Sequence, residues 1–139
     1  MPANFTLNIL CLKPNDDSPV LTNFLLGVPN VKLIVAVTWD EAWDGLRSTD
    51  YDLCVLDTAA GNEGAIALCR DIRAQLPRIP IIFYSAWASN QAIHDAYAAG
   101  GTAYFMKHNL RDLCDAIVRT AELAQFRGRK LHRGSDLRF

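Results

Sequence analysis

Apolar residues gather in five short runs along the chain: Leu7 to Leu12, Leu33 to Val37, Leu53 to Leu56, Ile79 to Tyr84 and Ala103 to Met106. Several are apolar at successive positions instead of alternating, the pattern of strands covered on both faces. Between the runs the apolar spacing turns helical. Ser18-Pro19 reads as an N-cap followed by proline in the first turn, with Gly27 as a stop. Thr38-Trp39-Asp40-Glu41 is a capping box, with Trp39, Ala42, Trp43 and Leu46 on one face. Ile66, Cys69, Ile72 and Leu76 share a stripe before Pro77. Ser89 caps a helix bearing Ala92, Ile93, Ala96 and Tyr97, ended by Gly100-Gly101. Asn109 and Asp112 open a last helix whose inner face is Leu110, Leu113, Cys114, Ile117 and Ala121.

Strict alternation of strand and helix predicts an α/β fold with a parallel sheet, right-handed crossovers and helices on both faces. A length of 139 residues suits one domain, and a composition that is 50% hydrophobic can fill one core. Residues 1–125 read as that domain. Residues 126–139 carry Arg127, Arg129, Lys130, Arg133 and Arg138 against Asp136 and read as a basic tail or helix extension.

Charge and cysteine content then narrow the function. A formal net charge of −1 argues against general nucleic-acid binding, and no helix-turn-helix pattern is present. No apolar run approaches the roughly 18 residues that span a bilayer, and no export signal opens the chain, so a cytoplasmic protein without membrane contact is expected. The four cysteines lie in apolar strand or helix patterns with no Cys-x-x-Cys pair, which reads as buried small hydrophobes.

The chemistry sits where strands run out. In an open α/β sheet, ligands bind beyond the carboxyl ends of the strands. Asp57, Ser85 and Lys107 fall at the ends of the third, fourth and fifth runs. A carboxylate is a nucleophile toward a phosphoryl donor, a hydroxyl donates to a phosphoryl oxygen, and an ammonium is a compact charge for phosphate. Singly, each has a plainer role as turn former, helix cap or solvated edge residue. Jointly, they describe a phosphoryl site.

At these residues the chain resembles a receiver domain of bacterial two-component response regulators, over roughly Leu7 to Leu123. The matching pieces are Tyr51 to Asp57, Pro80 to Ala86 and Ala99 to Lys107. The resemblance implies a flavodoxin-like (CheY-like) three-layer sandwich, with a five-stranded sheet of order 2-1-3-4-5 and five helices. It implies that Asp57 is the phosphoacceptor, Lys107 the lysine that contacts the phosphoryl group, Ser85 the switch hydroxyl and Tyr104 the switch aromatic. It implies Mg²⁺ as cofactor, and as partners a sensor histidine kinase or phosphotransfer protein and a downstream protein; the surface near Tyr104, Trp87 and the last helix is where a protein partner, including a second copy of the chain, is expected. The domain is expected to act as a signalling switch and not as an enzyme.

The first loop departs from that family. Lys13-Pro14 stands where the acidic pair for Mg²⁺ belongs, leaving Asp57 as the main metal ligand, with Asp16 or Asp17 as substitutes if the loop shifts. Lys13 is itself a stand-in cation. At a separation of ~4 Å and an effective dielectric of about 20, its attraction to Asp57 is on the order of 4 kcal/mol before desolvation. His108 replaces the proline that follows the lysine, and the loop after Asp57 lacks its usual proline. Trp87 reads either as a cover for the site or as a half-buried residue at a helix start. These departures raise an alternative, an atypical pseudo-receiver that binds a protein without phosphorylation. A hydrolytic triad of Ser85, His108 and Asp57 lacks the Gly-x-Ser-x-Gly elbow that would support it.

Overall fold

The computed structural model describes residues 6–12, 27–28, 30–48, 50–58, 62–85, 89–106 and 110–123. Along these run β1 (Leu7–Leu12), β2 (Val31–Ala36), α1 (Trp39–Ser48), β3 (Leu53–Asp57), α2 (Asn62–Gln75), β4 (Ile81–Ser85), α3 (Asn90–Ala98) and β5 (Ala103–Met106). A last helix, α4, covers residues 110–123. The five strands form one sheet of order β2-β1-β3-β4-β5, and every described pairing is parallel. The expected topology is therefore present, with four helices among the described residues. The helix expected after Ser18 falls on 13–26, outside those residues, as do Lys13, Asp16, Asp17, Trp87, Lys107, His108 and 124–139.

Burial follows sheet position. The central strands β3 and β4 are buried at every residue, while the edge strand β5 is half-buried throughout. On one face, Leu10, Cys54, Leu56, Ile81 and Phe83 pack with Ala42 of α1, Ile66, Cys69 and Ile72 of α2, and Ala96 of α3. On the other, Ile9, Cys11, Leu53, Val55, Ile82 and Tyr84 pack with Leu113, Cys114, Ile117 and Ala121 of α4. Successive residues on a strand thus serve opposite cores, which is why the runs are apolar without alternation.

Several local expectations shift. β2 starts two residues earlier and ends one earlier than Leu33 to Val37, and β4 starts at Ile81 instead of Ile79 and takes in Ser85. In the capping box, Thr38 Oγ1 accepts from the Glu41 N–H at 3.2 Å, but the Glu41 carboxylate accepts from Val37 N–H at 3.0 Å, one residue before the cap. On α3, Tyr97 is 50% exposed, and Ala96 and Ala99 make the contact with the core.

Candidate functional site

β1 lies between β2 and β3, so the strand order reverses there and the carboxyl ends of β1 and β3 border the crevice that such reversals create. Asp57 closes β3 and Ser85 closes β4. Asp57 pairs in register with Tyr84, so Ser85 is the next residue on the adjacent strand, at a strand spacing of about 4.8 Å. The Thr58 N–H donates to Tyr84 O at 3.0 Å and carries the β3–β4 ladder one residue past the acid. The sheet thus brings together two of the three expected side chains, a carboxylate and a hydroxyl separated by 27 residues in sequence. On the far side of β4, Ser85 is registered with Met106, the residue before Lys107. Lys107 itself lies outside the described residues.

Both polar side chains are buried, Asp57 at 4% and Ser85 at 5% exposure. They are the buried polar residues of the described core, which otherwise consists of hydrophobic side chains. A buried carboxylate costs stability unless its surroundings compensate.

Tyr84 is a site residue that the sequence reading did not single out. In register with Asp57, it lies on the same face of the sheet, within the cluster of Cys11, Val55 and Cys114. Burial pushes its phenol up to about 12, and the nearby Asp57 carboxylate, with the Cys11 and Cys114 thiols, adds to the rise. The group therefore stays a neutral phenol through the physiological range. Strand register is a tertiary property, and no local pattern pointed to this neighbour.

Tyr104 is placed by β5 against the other face. It is registered with Phe83, and the two rings stack with centroids 5.8 Å apart and planes 3° apart. The ring is half-buried against the core that α3 also covers, one residue along β4 from Tyr84 and two from Ser85.

The described residues contain no group of three or more His, Cys, Asp or Glu side chains able to hold a metal ion. Asp57 offers one carboxylate at the strand end, and Mg²⁺ is commonly held by one or two carboxylates with water and substrate phosphate. The Asp57 carboxylate thus fits a place in a Mg²⁺ site. No helix among the described residues is long and apolar enough to cross a membrane.

Comparison with known proteins agrees with this geometry. The family model described as response regulator receiver domain matches residues 16–118. A response regulator from Thermotoga maritima superposes with a TM-score of 0.74 at 23% identity, covering 85% of this chain and 99% of that one. A CheY-like receiver domain protein from Methanospirillum hungatei JF-1 gives a TM-score of 0.73 at 20% identity, covering 88% of this chain and 98% of that one. At these identities the two structures speak for the fold. The DNA-binding transcriptional activator DevR/DosR of Mycobacterium tuberculosis (strain ATCC 25618 / H37Rv) is 32% identical over 67 residues, covering 48% of this chain. That match takes in 31% of the activator, so the chain spans under a third of that relative's length.

Proposed function

Because this chain belongs to the response regulator receiver domain family, matched over residues 16–118, we propose that it takes up a phosphoryl group on Asp57 and thereby changes a protein-binding surface. The chain is a receiver domain of two-component signalling. The observation that carries the assignment to Asp57 is the pairing of a buried carboxylate and a buried hydroxyl at adjacent carboxyl ends of an otherwise apolar sheet. In the reaction, an Asp57 carboxylate oxygen attacks phosphorus. The bond from phosphorus to the donor's leaving group breaks, the leaving group departs with its electron pair, and an acyl phosphate forms. Ser85 donates its hydroxyl to a phosphoryl oxygen, and Lys107 offsets the added negative charge. Mg²⁺, when bound at Asp57, supplies further charge neutralisation.

The donor is a histidine kinase or a phosphotransfer protein in the cytoplasm, and the acceptor of the signal is a protein. The added charge at Asp57 biases a two-state element, with Ser85 and Tyr104 as its moving parts. The domain acts as a switch and turns over no substrate of its own. Lys13-Pro14 in place of an acidic pair and the burial of Asp57 both favour slow uptake with a shallow Mg²⁺ dependence. The test is incubation with Mg²⁺ and acetyl phosphate, followed by intact-mass measurement. One phosphoryl group should add slowly to the native chain and not to Asp57→Asn. No adduct at any Mg²⁺ concentration sinks the reading.

A second reading, a pseudo-receiver that docks a protein without phosphorylation, is favoured by the same 4% exposure of Asp57. Under it, Asp57→Asn leaves the signalling output unchanged. Under the first reading, that output disappears.

A further inference from the structure

We propose that Tyr84 is a positioning residue for the phosphoryl site: its neutral hydroxyl, in the core beside Asp57, stabilises the free carboxylate more than the acyl phosphate and so shortens the life of the phosphorylated state. The proposal rests on the receiver reading above and adds to that site a residue that sets how long it stays loaded.

Tyr84 and Asp57 are partners on adjacent parallel strands, so their side chains leave the sheet on the same face, with the strands about 4.8 Å apart. The bond from the Thr58 N–H to Tyr84 O, at 3.0 Å, holds this pairing from beyond the acid. On its other flank, Tyr84 is in register with Phe105 of β5, which packs against the same core. The tyrosine thus stands in a row between Phe105 and Asp57, buried like the acid. Its surroundings are Ile9, Val55, Ile82, Leu113 and Ile117, with the thiols of Cys11 and Cys114. Among the described residues of this core, Tyr84 carries the one hydroxyl, a better donor than a thiol. Burying a hydroxyl costs free energy that a phenylalanine avoids, and Phe83 and Phe105 fill neighbouring places in the sheet without one. Burial is the main influence on the phenol, and the Asp57 charge is the largest from any neighbour, so the two groups lie within electrostatic reach.

Phosphorylation moves charge away from this hydroxyl. The free carboxylate holds a full negative charge on its own oxygens. In the acyl phosphate, the oxygen bonded to phosphorus is neutral, and the charge sits on the phosphoryl oxygens beyond it. A dipole in a dry core acts strongly at short range, so the hydroxyl favours the free state. In hydrolysis, a water oxygen attacks phosphorus and the bond from phosphorus to the Asp57 oxygen breaks. Its electron pair returns to the carboxylate, the water gives up a proton to solvent, and inorganic phosphate leaves. Charge rebuilds on Asp57 in a loose transition state, so the hydroxyl lowers that barrier. In uptake, the carboxylate is charged at the start and still largely charged in the transition state, so that rate changes little.

The experiment loads the full chain with acetyl phosphate and Mg²⁺, removes the donor by desalting and follows the adduct by intact mass. Tyr84→Phe keeps the ring and removes the hydroxyl. It should lengthen the half-life of the adduct about tenfold while changing the rate of uptake by less than about twofold. A merely structural role would not divide the two rates in this way. Val55→Ala loosens the same core without removing a hydroxyl. It should lower the thermal midpoint yet leave the half-life within about twofold of the native value. An unchanged half-life in Tyr84→Phe, or an equal lengthening in Val55→Ala, overturns the proposal while the receiver reading stands. Absence of any adduct on the native chain overturns the receiver reading, and this proposal with it.

Discussion

Two carboxylates bracket the same strand and do opposite work. Asp52 stands just before β3, where its Oδ2 accepts from the Asn8 N–H at 2.8 Å and its own N–H donates to Asn8 O at 2.8 Å. The Asn8 amide adds a bond to Asp50 O at 3.2 Å. That acid joins the starts of β1 and β3 and sets their register. Asp57, at the exit of the strand, is buried beside Tyr84 and next to the end of β4. The difference teaches that the direction of a parallel sheet assigns the role. At the amino ends of the strands, a carboxylate serves backbone groups that need partners. At the carboxyl ends, chains diverge into the turns that lead to helices, and the space between them is where ligands fit.

The strongest way to break this comparison is to neutralise each acid in turn. Asp57→Asn should abolish the phosphoryl adduct by mass and change the thermal midpoint by only a few degrees. Asp52→Ala should do the reverse, costing about 1–3 kcal/mol in urea unfolding while the adduct still forms. A folded Asp52→Ala chain that takes up no phosphate would falsify the division of roles. A smaller effect is expected at Lys13. Replacing it with Asp restores a carboxylate to the first loop and should raise the apparent Mg²⁺ affinity for phosphorylation about tenfold, equivalent to roughly 1.4 kcal/mol. No gain would mean that residue 13 takes no part in the metal site.

The smallest effects are in pH. Tyr84 titrates near 12 in the fold against about 10 for an unfolded tyrosine, so the folded state holds its proton longer. Its contribution to stability is complete below about pH 10 and is lost as the pH rises toward 12. Cys54, pushed up to about 12 mainly by burial, and Cys114, up to about 11, act in the same direction. Tyr84→Phe should flatten part of that alkaline decline in urea midpoints measured from pH 9 upward. Asp57→Asn should lower the Tyr84 titration slightly in ultraviolet absorbance, because one contributor to the rise is its charge.

Much of the architecture was legible because its signals are local. The apolar runs at Leu7 to Leu12 and Ala103 to Met106 match β1 and β5 at both ends. Ser89 caps α3 as its position predicts, and Leu113, Cys114, Ile117 and Ala121 are the buried face of α4. Apolar spacing names a stripe on α3 without saying how wide a stripe the sheet will cover, and Tyr97 stays 50% exposed. Asp57 and Ser85 were found at adjacent strand ends as expected, whereas Lys13, Asp16, Asp17 and Lys107 lie outside the described residues.

By itself, then, the amino-acid order determined which segments become strands and helices, which way most of them face, and which polar residues end the strands, since side-chain period and capping act over a few residues. The pairing of Asp57 with Tyr84, the stack of Phe83 on Tyr104 and the grip of Arg73 on Gly100 were decided only by the tertiary structure. Each joins residues about 20 or more positions apart, and such contacts depend on strand register and helix seating, which the packed core sets as a whole.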